Sequence, residues 1–280
     1  MTATMSASFP TVLALDFDGV ICNGLKEYFQ TAWQAYCNLW QVENQFPPSG
    51  VAEQFYRLRP VVETGWEMPV LVRAIMLGIP EADIFQNWIA VPQSGSAAIG
   101  IAQQILQQDN LNAAKCIAEV DGIRDRWIAS DPDSWLAEQT FYPGVIDRLK
   151  STLASPTIVV IVSTKEKRFI EQLLQQQNVD LTNLRIFGKE VKRPKHQVLR
   201  ELIAEYGSEQ TFWFVEDRLK TLQGIQLQPD LETVSLFLAD WGYNTTAERE
   251  LAASNPHINL ISLKQFSQDF LVWMGEERVG

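Results

Sequence analysis

Apolar residues in this chain gather in short, unbroken runs, each closed by a polar or acidic residue. Four of them read as strands covered on both faces: residues 11–16 (TVLALD), 157–163 (TIVVIVS), 211–216 (TFWFVE) and 233–239 (TVSLFLA). A strand buried on both sides loses the in–out alternation of a half-exposed one and becomes a continuous Val/Ile/Leu-rich run. Residues 184–187 form a weaker fifth. Between the later runs, apolar positions recur at helical spacing over 167–177, 195–206 and 219–226. Strand and helix in alternation predict an α/β domain with a doubly wound parallel sheet and right-handed crossovers.

Residues 23–140 break this rhythm. They hold no comparable β run, but helical periodicity appears over 25–40, 51–57, 68–77, 95–107 and 111–128. A strand–helix–strand crossover takes roughly 30 residues, so this segment predicts an α-helical domain inserted after the first strand. A helix over 145–153, opened by Tyr142-Pro143-Gly144, then returns the chain to the sheet. The expected organisation is an α/β core of residues 1–22 plus 141–280 and a helical insertion of 23–140.

Charge changes the picture next. The 280 residues carry a net charge of −11, and the 23 Lys and Arg are scattered, so no nucleic acid and no anionic membrane surface is expected as a partner. An anionic ligand would then need a local counterweight, from a metal or a few chosen Lys and Arg. Cys22, Cys37 and Cys116 form no CxxC pair, and His196 and His257 are the only histidines. Neither a disulfide framework nor a zinc or histidine-rich metal centre is expected. The first apolar run, residues 12–15, is too short for a signal peptide or a membrane span, and the expected location is the cytoplasm.

Candidate chemistry sits at the ends of the strands. In LALDFDG, Asp16 and Asp18 close the first run two residues apart, a spacing that puts both on one side of an extended chain. Open α/β sheets bind ligands beyond such carboxyl ends. Two carboxylates this close repel, and a hard divalent cation with oxygen ligands, above all Mg²⁺, relieves the repulsion. Ser163, followed by Thr164 and Lys165, ends the second run with a hydroxyl able to donate to a phosphoryl oxygen. Lys189, Lys192, Arg193 and Lys195 cluster before the helix at 195–206. Glu216 and Asp217 end a very apolar, aromatic run, where buried carboxylates are costly unless a metal or another partner meets them.

LALDFDGVICNG resembles the first motif of the haloacid dehalogenase superfamily. VVIVSTKEK resembles its second motif and GKEVKRPKHQVLREL its third. FWFVEDRLKTLQGI resembles the fourth in the Glu-Asp form of the β-phosphoglucomutase and phosphoglycolate phosphatase branch. SLFLADWGYNTTAERELAASNPHINLISLKQF resembles that branch's closing segment. The chain departs at Val20, where Thr is more usual, and at Thr221, where the family often has a further acid.

The resemblance implies a Rossmann-like core with an inserted helical cap, and a Mg²⁺-dependent phosphatase acting on a small phosphorylated metabolite. Asp16 would be the nucleophile, forming an aspartyl-phosphate, and Asp18 the acid–base. Ser163 and either Lys192 or Lys195 would stabilise the phosphoryl oxygens, with Thr164 in the substrate site. Asp16, Asp18, Glu216 and Asp217 would hold the metal. Arg57 and Arg59, with Glu63, Trp66 and Glu67 behind them, are the expected readers of the leaving group, or else these arginines face solvent or pair with Glu in the insert. Trp33, Trp40, Trp88 and Trp127 are expected in the core of the insert. Rival readings are a phosphomutase using the same nucleophile, or a non-catalytic relative that binds a phosphorylated ligand or a protein partner. Dehalogenation would need neither Asp18 nor Mg²⁺, and phosphonate hydrolysis would need a Schiff-base lysine, for which Lys26 lies nearest.

Overall fold

The computed structural model describes residues 9–89 and 99–274, and the chain divides into two compact units. One comprises Met1–Asn23 with Thr140–Gly280, the other Gly24–Gln139.

The first unit is built on a parallel sheet of six strands: β1 (Val12–Leu15), β4 (Ile158–Val162), β5 (Arg185–Phe187), β6 (Phe212–Glu216), β7 (Ser235–Ala239) and β8 (Ile258–Ile261). Their order is β5-β4-β1-β6-β7-β8. The chain winds outward from β1 to β5, then crosses back to start again at β6. Winding therefore reverses beside β1, and that reversal opens a crevice at the carboxyl ends of the strands. On one face Val12, Ala14, Val160, Phe212 and Phe214 pack with Val198, Leu202, Leu222 and Ile225. Those last four lie on α10 (Lys195–Tyr206) and α11 (Leu219–Gln226), which follow α8 (Val145–Leu153) and α9 (Lys167–Gln176) in this unit. Trp213 joins Phe237, Phe270 and Trp273 in an aromatic cluster with ring centroids 4.8–5.7 Å apart. A short antiparallel ribbon, β2 (Cys22–Asn23) with β3 (Thr140–Phe141), marks where the chain leaves and re-enters this unit.

The doubly wound parallel sheet is thus the fold expected from the sequence. β8 and α12 (Thr246–Ser254) go beyond the elements expected from the sequence. INLI is buried only at its two ends, so it shows neither a continuous apolar run nor clean alternation.

The second unit is helical: α1 (Leu25–Trp40), α2 (Val51–Leu58), α3 (Glu67–Met76), α4 (Glu81–Asn87), α5 (Ile101–Gln108), α6 (Ala113–Ser130) and α7 (Pro132–Ala137). The start of the helix expected at 95–107 lies outside the described residues; within them α5 begins at Ile101. Trp33 and Trp88 are in the core, as expected, with Phe55, Leu71 and Ile105. Trp40 is partly buried against that core, its indole donating to Asp109 at 2.6 Å. Trp127 is also half-buried and donates to Ser134. Glu27 on α1, almost fully buried, accepts two hydrogen bonds from Arg124 on α6 at 2.8 and 3.2 Å. Among the described residues, no helix is long and apolar enough to cross a membrane.

Glu67 is not a free ligand reader. It is buried and accepts from the backbone of Glu63 and Thr64, the Thr64 hydroxyl and the Trp88 indole. Its carboxylate closes the loop that leads into α3. Glu67→Ala strands these donors and is expected to cost about 3 kcal/mol, read as a lower urea midpoint, while Glu67→Gln keeps an acceptor and costs less.

Candidate active site

The carboxyl ends of β1, β4 and β6 bring the predicted residues together. Asp16 follows β1 directly; its N–H donates to the Val215 carbonyl at 2.9 Å, which extends the sheet pairing to this carboxylate. Its own Oδ1 accepts from the Phe17 N–H at 2.7 Å. After Asp18 the chain must reverse at once. Gly19 does this with φ of +88°, and Ile21 and Cys22 both donate to the Phe17 carbonyl. That left-handed conformation is cheap only for glycine. A Cβ on Gly19 would also stand 2.2 Å from Asp217 Oδ2.

Asp217 follows β6 and is held from the loop after β7. Tyr243 N–H donates to its Oδ2 at 2.8 Å, and Asn244 Nδ2 donates to its carbonyl at 2.9 Å and to that of Ala239 at 2.7 Å. The Arg218 guanidinium donates to the Tyr243 carbonyl, and Trp241 donates to the Val20 carbonyl at 3.1 Å. The loop after β7 is thereby tied to both acidic loops. Gly242 passes so close that a Cβ there would lie 2.3 Å from Asp217 Cβ and 2.7 Å from the Gly19 carbonyl. Gly242→Ala must push Asp217 aside, and displacing a reacting or ligating group by about 1 Å costs about 10²-fold in rate. Steady-state kinetics beside an unchanged circular-dichroism spectrum would check this.

One lysine settles between the carboxylates. Lys195, the first residue of α10, places Nζ 2.9 Å from Asp16 Oδ2 and 2.6 Å from Glu216 Oε2. Of the two lysines left open by the sequence, Lys195 meets the acids. Lys192 does not: it is exposed, ending a 3₁₀ turn in the left-handed conformation at φ of 51°. Pro194 stands just before α10, and its carbonyl accepts from Gln197 and Val198.

Ser163 is buried at the end of β4, its Oγ accepting from the Lys165 N–H at 3.2 Å, while Thr164 beside it is exposed. Lys165 joins the site without having been singled out by its sequence pattern. Its Nζ lies 3.0 Å from Asp18 Oδ1, with a side chain only 8% exposed. The local signal is a lysine two places past a strand-end hydroxyl.

In the helical unit, Arg57 is exposed and pairs with Glu81 at 2.6 Å. Arg59 donates to the Val62 carbonyl at 2.9 Å, with its guanidinium 5.1 Å from the Tyr28 ring centre.

Electrostatically the centre is over-supplied with negative charge. Asp16, Asp18, Glu216 and Asp217 face Lys165 and Lys195, and the Arg218 guanidinium also acts on Asp217, so the carboxylates outnumber the cations. Burial pushes Asp16 up to about 7; Lys195 opposes this, and Glu216 and Asp18 add to it. Asp217 is pushed up to about 6 by burial and by Asp16, and Glu216 is raised by burial, against the pull of Lys195. For Lys195, burial disfavours the ammonium, but Asp16 and Glu216 outweigh it and hold it above its usual range. Asp16, Glu216 and Asp217 offer ligand oxygens within 4.8 Å of one another. Buried hard-oxygen donors that outnumber their cationic partners fit a divalent cation such as Mg²⁺.

An acidic pair after β1, a hydroxyl after β4 and, at the end of β6, a lysine–acid group thus meet at one edge of a doubly wound parallel sheet. Known structures agree on the fold. A predicted phosphatase from Clostridium acetobutylicum is similar at 15% identity, over 94% of this chain and 99% of that one, with a TM-score of 0.56. A protein from Lactobacillus delbrueckii subsp. bulgaricus, assigned by inference as a phosphoglycolate phosphatase, is similar at 12% identity over 91% and 95%, with a TM-score of 0.56. A haloacid dehalogenase-like hydrolase of Bacteroides fragilis, also assigned by inference, follows at 16% identity over 92% and 99%, with a TM-score of 0.51. No family model matches the sequence, and no curated protein matches it either.

Proposed function

We propose that this protein is a Mg²⁺-dependent phosphomonoester hydrolase that works through a phosphorylated Asp16 and acts on a small phosphorylated metabolite. The supporting observation is the pairing of Lys195 with Asp16 and Glu216, beside Asp217, at the reversal point of the sheet. A carboxylate held by a lysine, with a second acid two residues on, suits nucleophilic attack followed by proton transfer.

Asp16 attacks phosphorus, oriented by the Phe17 N–H on Oδ1 and Lys195 on Oδ2. Asp18 gives a proton to the departing alcohol, then takes one from the water that releases phosphate from Asp16. Ser163 and Lys195 offset charge on the phosphoryl oxygens. Asp16, Glu216 and Asp217, with the Asp18 carbonyl, are the groups that would hold Mg²⁺, which when bound supplies Lewis-acid polarisation of the phosphoryl group. Arg57 and Arg59 are the proposed cationic contacts for the leaving group. Thr164, exposed beside Ser163, is the other proposed substrate contact.

The test is hydrolysis of p-nitrophenyl phosphate and a panel of metabolite phosphates, with Mg²⁺ or with EDTA. Mg²⁺-dependent turnover supports the reading. Mg²⁺ binding without turnover of any phosphomonoester refutes it and favours a ligand-binding protein.

Acid–base linkage gives a second check. Asp16 and Asp217 keep protons in the folded state to about 7 and about 6, against a usual 3.8. Over that window the unfolded chain has already lost them, so stability of the metal-free protein falls as pH rises from about 4 to about 7. Metal binding needs the ionised carboxylates. The rise in Tm on adding Mg²⁺ is therefore expected to be larger at about pH 7.5 than at about pH 5.5, measured by thermal melts against EDTA controls.

A further inference from the structure

We propose that Lys165 is a positioning residue for Asp18, holding the carboxyl where it can serve the leaving group; the inference rests on the phosphatase reading above. Lys165 is fixed at three points. Its N–H donates to Ser163 Oγ at 3.2 Å, its carbonyl accepts from Lys189 at 2.9 Å, and its Nζ donates to Asp18 Oδ1 at 3.0 Å. The ammonium lies 6.0 Å from the Phe17 ring centre, and its side chain is more deeply buried, at 8% exposure, than that of Asp18 at 19%. The backbone of Lys165 is thus set by the β4 end and the loop after β5, and its side chain crosses to the β1 loop. Rotating Asp18 away would strip a buried ammonium of a charge-assisted hydrogen bond.

Division of labour follows from the distances. Lys195 is shared by Asp16 and Glu216, and Lys165 takes Asp18. The two aspartates meet different lysines and can hold different orientations only two residues apart.

The chemistry supplies a test specific to this role. When the Asp16 carboxylate oxygen bonds to phosphorus, the P–O bond to the leaving group breaks and its electron pair stays on that oxygen. p-Nitrophenolate leaves as the anion, whereas an alkyl alcohol must receive the proton of Asp18. In the second step water bonds to phosphorus, its proton passes to Asp18 and the Asp16 carboxylate is regenerated. Misplaced Asp18 therefore slows phosphoryl transfer from alkyl phosphates far more than from p-nitrophenyl phosphate. It slows release from Asp16 for both.

The experiment compares wild type, Lys165→Met, Lys165→Arg and Asp18→Asn, with Mg²⁺, on p-nitrophenyl phosphate and on an alkyl phosphate that the wild type hydrolyses. For Lys165→Met we expect kcat/KM to fall on the order of 10²-fold on the alkyl ester and less than about tenfold on the aryl ester. A burst of p-nitrophenolate should appear as release becomes slow. Lys165→Arg should restore part of the alkyl activity, and Lys165→Met added to Asp18→Asn should cost little more than Asp18→Asn alone. An equal fall on both esters overturns the proposal, because Lys165 would then only bind the phosphoryl group; so does no fall on either. If Lys165→Met fails to fold, Lys165→Arg with Asp18→Asn still decides, since a residue that merely stabilises the fold gives no difference between the esters. A wild type that turns over no phosphomonoester removes the functional reading itself, a result distinct from these.

Discussion

Asp16→Asn is expected to abolish phosphomonoester hydrolysis, a loss on the order of 10⁴-fold or more, while leaving the fold at least as stable at neutral pH. The two effects have separate causes. Asparagine keeps the shape of the side chain but cannot attack phosphorus to form the acyl-phosphate. It also removes one of four carboxylates from a centre with only two lysines. Burial holds Asp16 up to about 7, so its ionised form is already unfavourable, and Asp217 is raised in part by Asp16 itself. With Asp16 neutralised, Lys195 keeps Glu216 as its partner at 2.6 Å. The metal-free Tm of the variant above pH 7 should therefore match or exceed that of wild type, while its response to Mg²⁺ shrinks. Turnover assays and thermal melts on the same preparation check both halves. A variant that still turns over would remove Asp16 from the chemistry.

The second large effect is structural. Lys195→Met leaves Asp16 and Glu216 buried without the ammonium between them, and breaking a buried ion pair from one side costs about 3–5 kcal/mol. The pH dependence has a definite sign. Lys195 is held above its usual range, so its contribution is complete at neutral pH and is lost only in strongly alkaline solution. Asp16 and Glu216 are raised, so acidification protonates them and removes the need for a counter-charge. The defect should be large at about pH 7.5 and much smaller at about pH 5, as read by urea unfolding. Activity should fall with it, because Asp16 loses the group that orients Oδ2. Lys192→Met is the matched control. Its side chain is exposed, and such substitutions stay within about 0.5 kcal/mol.

The contrast between those lysines shows what the sequence could and could not carry. β1, β4, β6 and β7 were legible because burial on both faces writes a run of apolar residues into the chain. The ends of those runs located Asp16, Ser163, Glu216 and Asp217, since a strand's end is also the sheet's ligand edge. Which lysine belonged with them depended on where α10 begins and on the left-handed turn at Lys192. Those are three-dimensional facts that a cluster of basic residues leaves open. Lys165 was hidden for a related reason: its partner Asp18 lies 147 positions away. Glu67 had a readable signal, since Thr64 and Glu67 stand at capping-box spacing, and both the Thr64 N–H and hydroxyl bond to its carboxylate. The Tyr243 and Asn244 contacts that fix Asp217 span 26 and 27 positions. No local pattern announces contacts of that length.

On the proposed mechanism Asp16 itself carries the phosphoryl group during turnover. An acyl-phosphate is reduced by borohydride to an alcohol, which converts a phosphorylated aspartate to homoserine. The protein would be quenched into borohydride during turnover of p-nitrophenyl phosphate with Mg²⁺, digested, and the peptide containing LALDFDG read by tandem mass spectrometry. Homoserine is expected at position 16, dependent on substrate and Mg²⁺. Turnover with an unmodified Asp16, or with the label on Asp18, rules out Asp16 as the carrier.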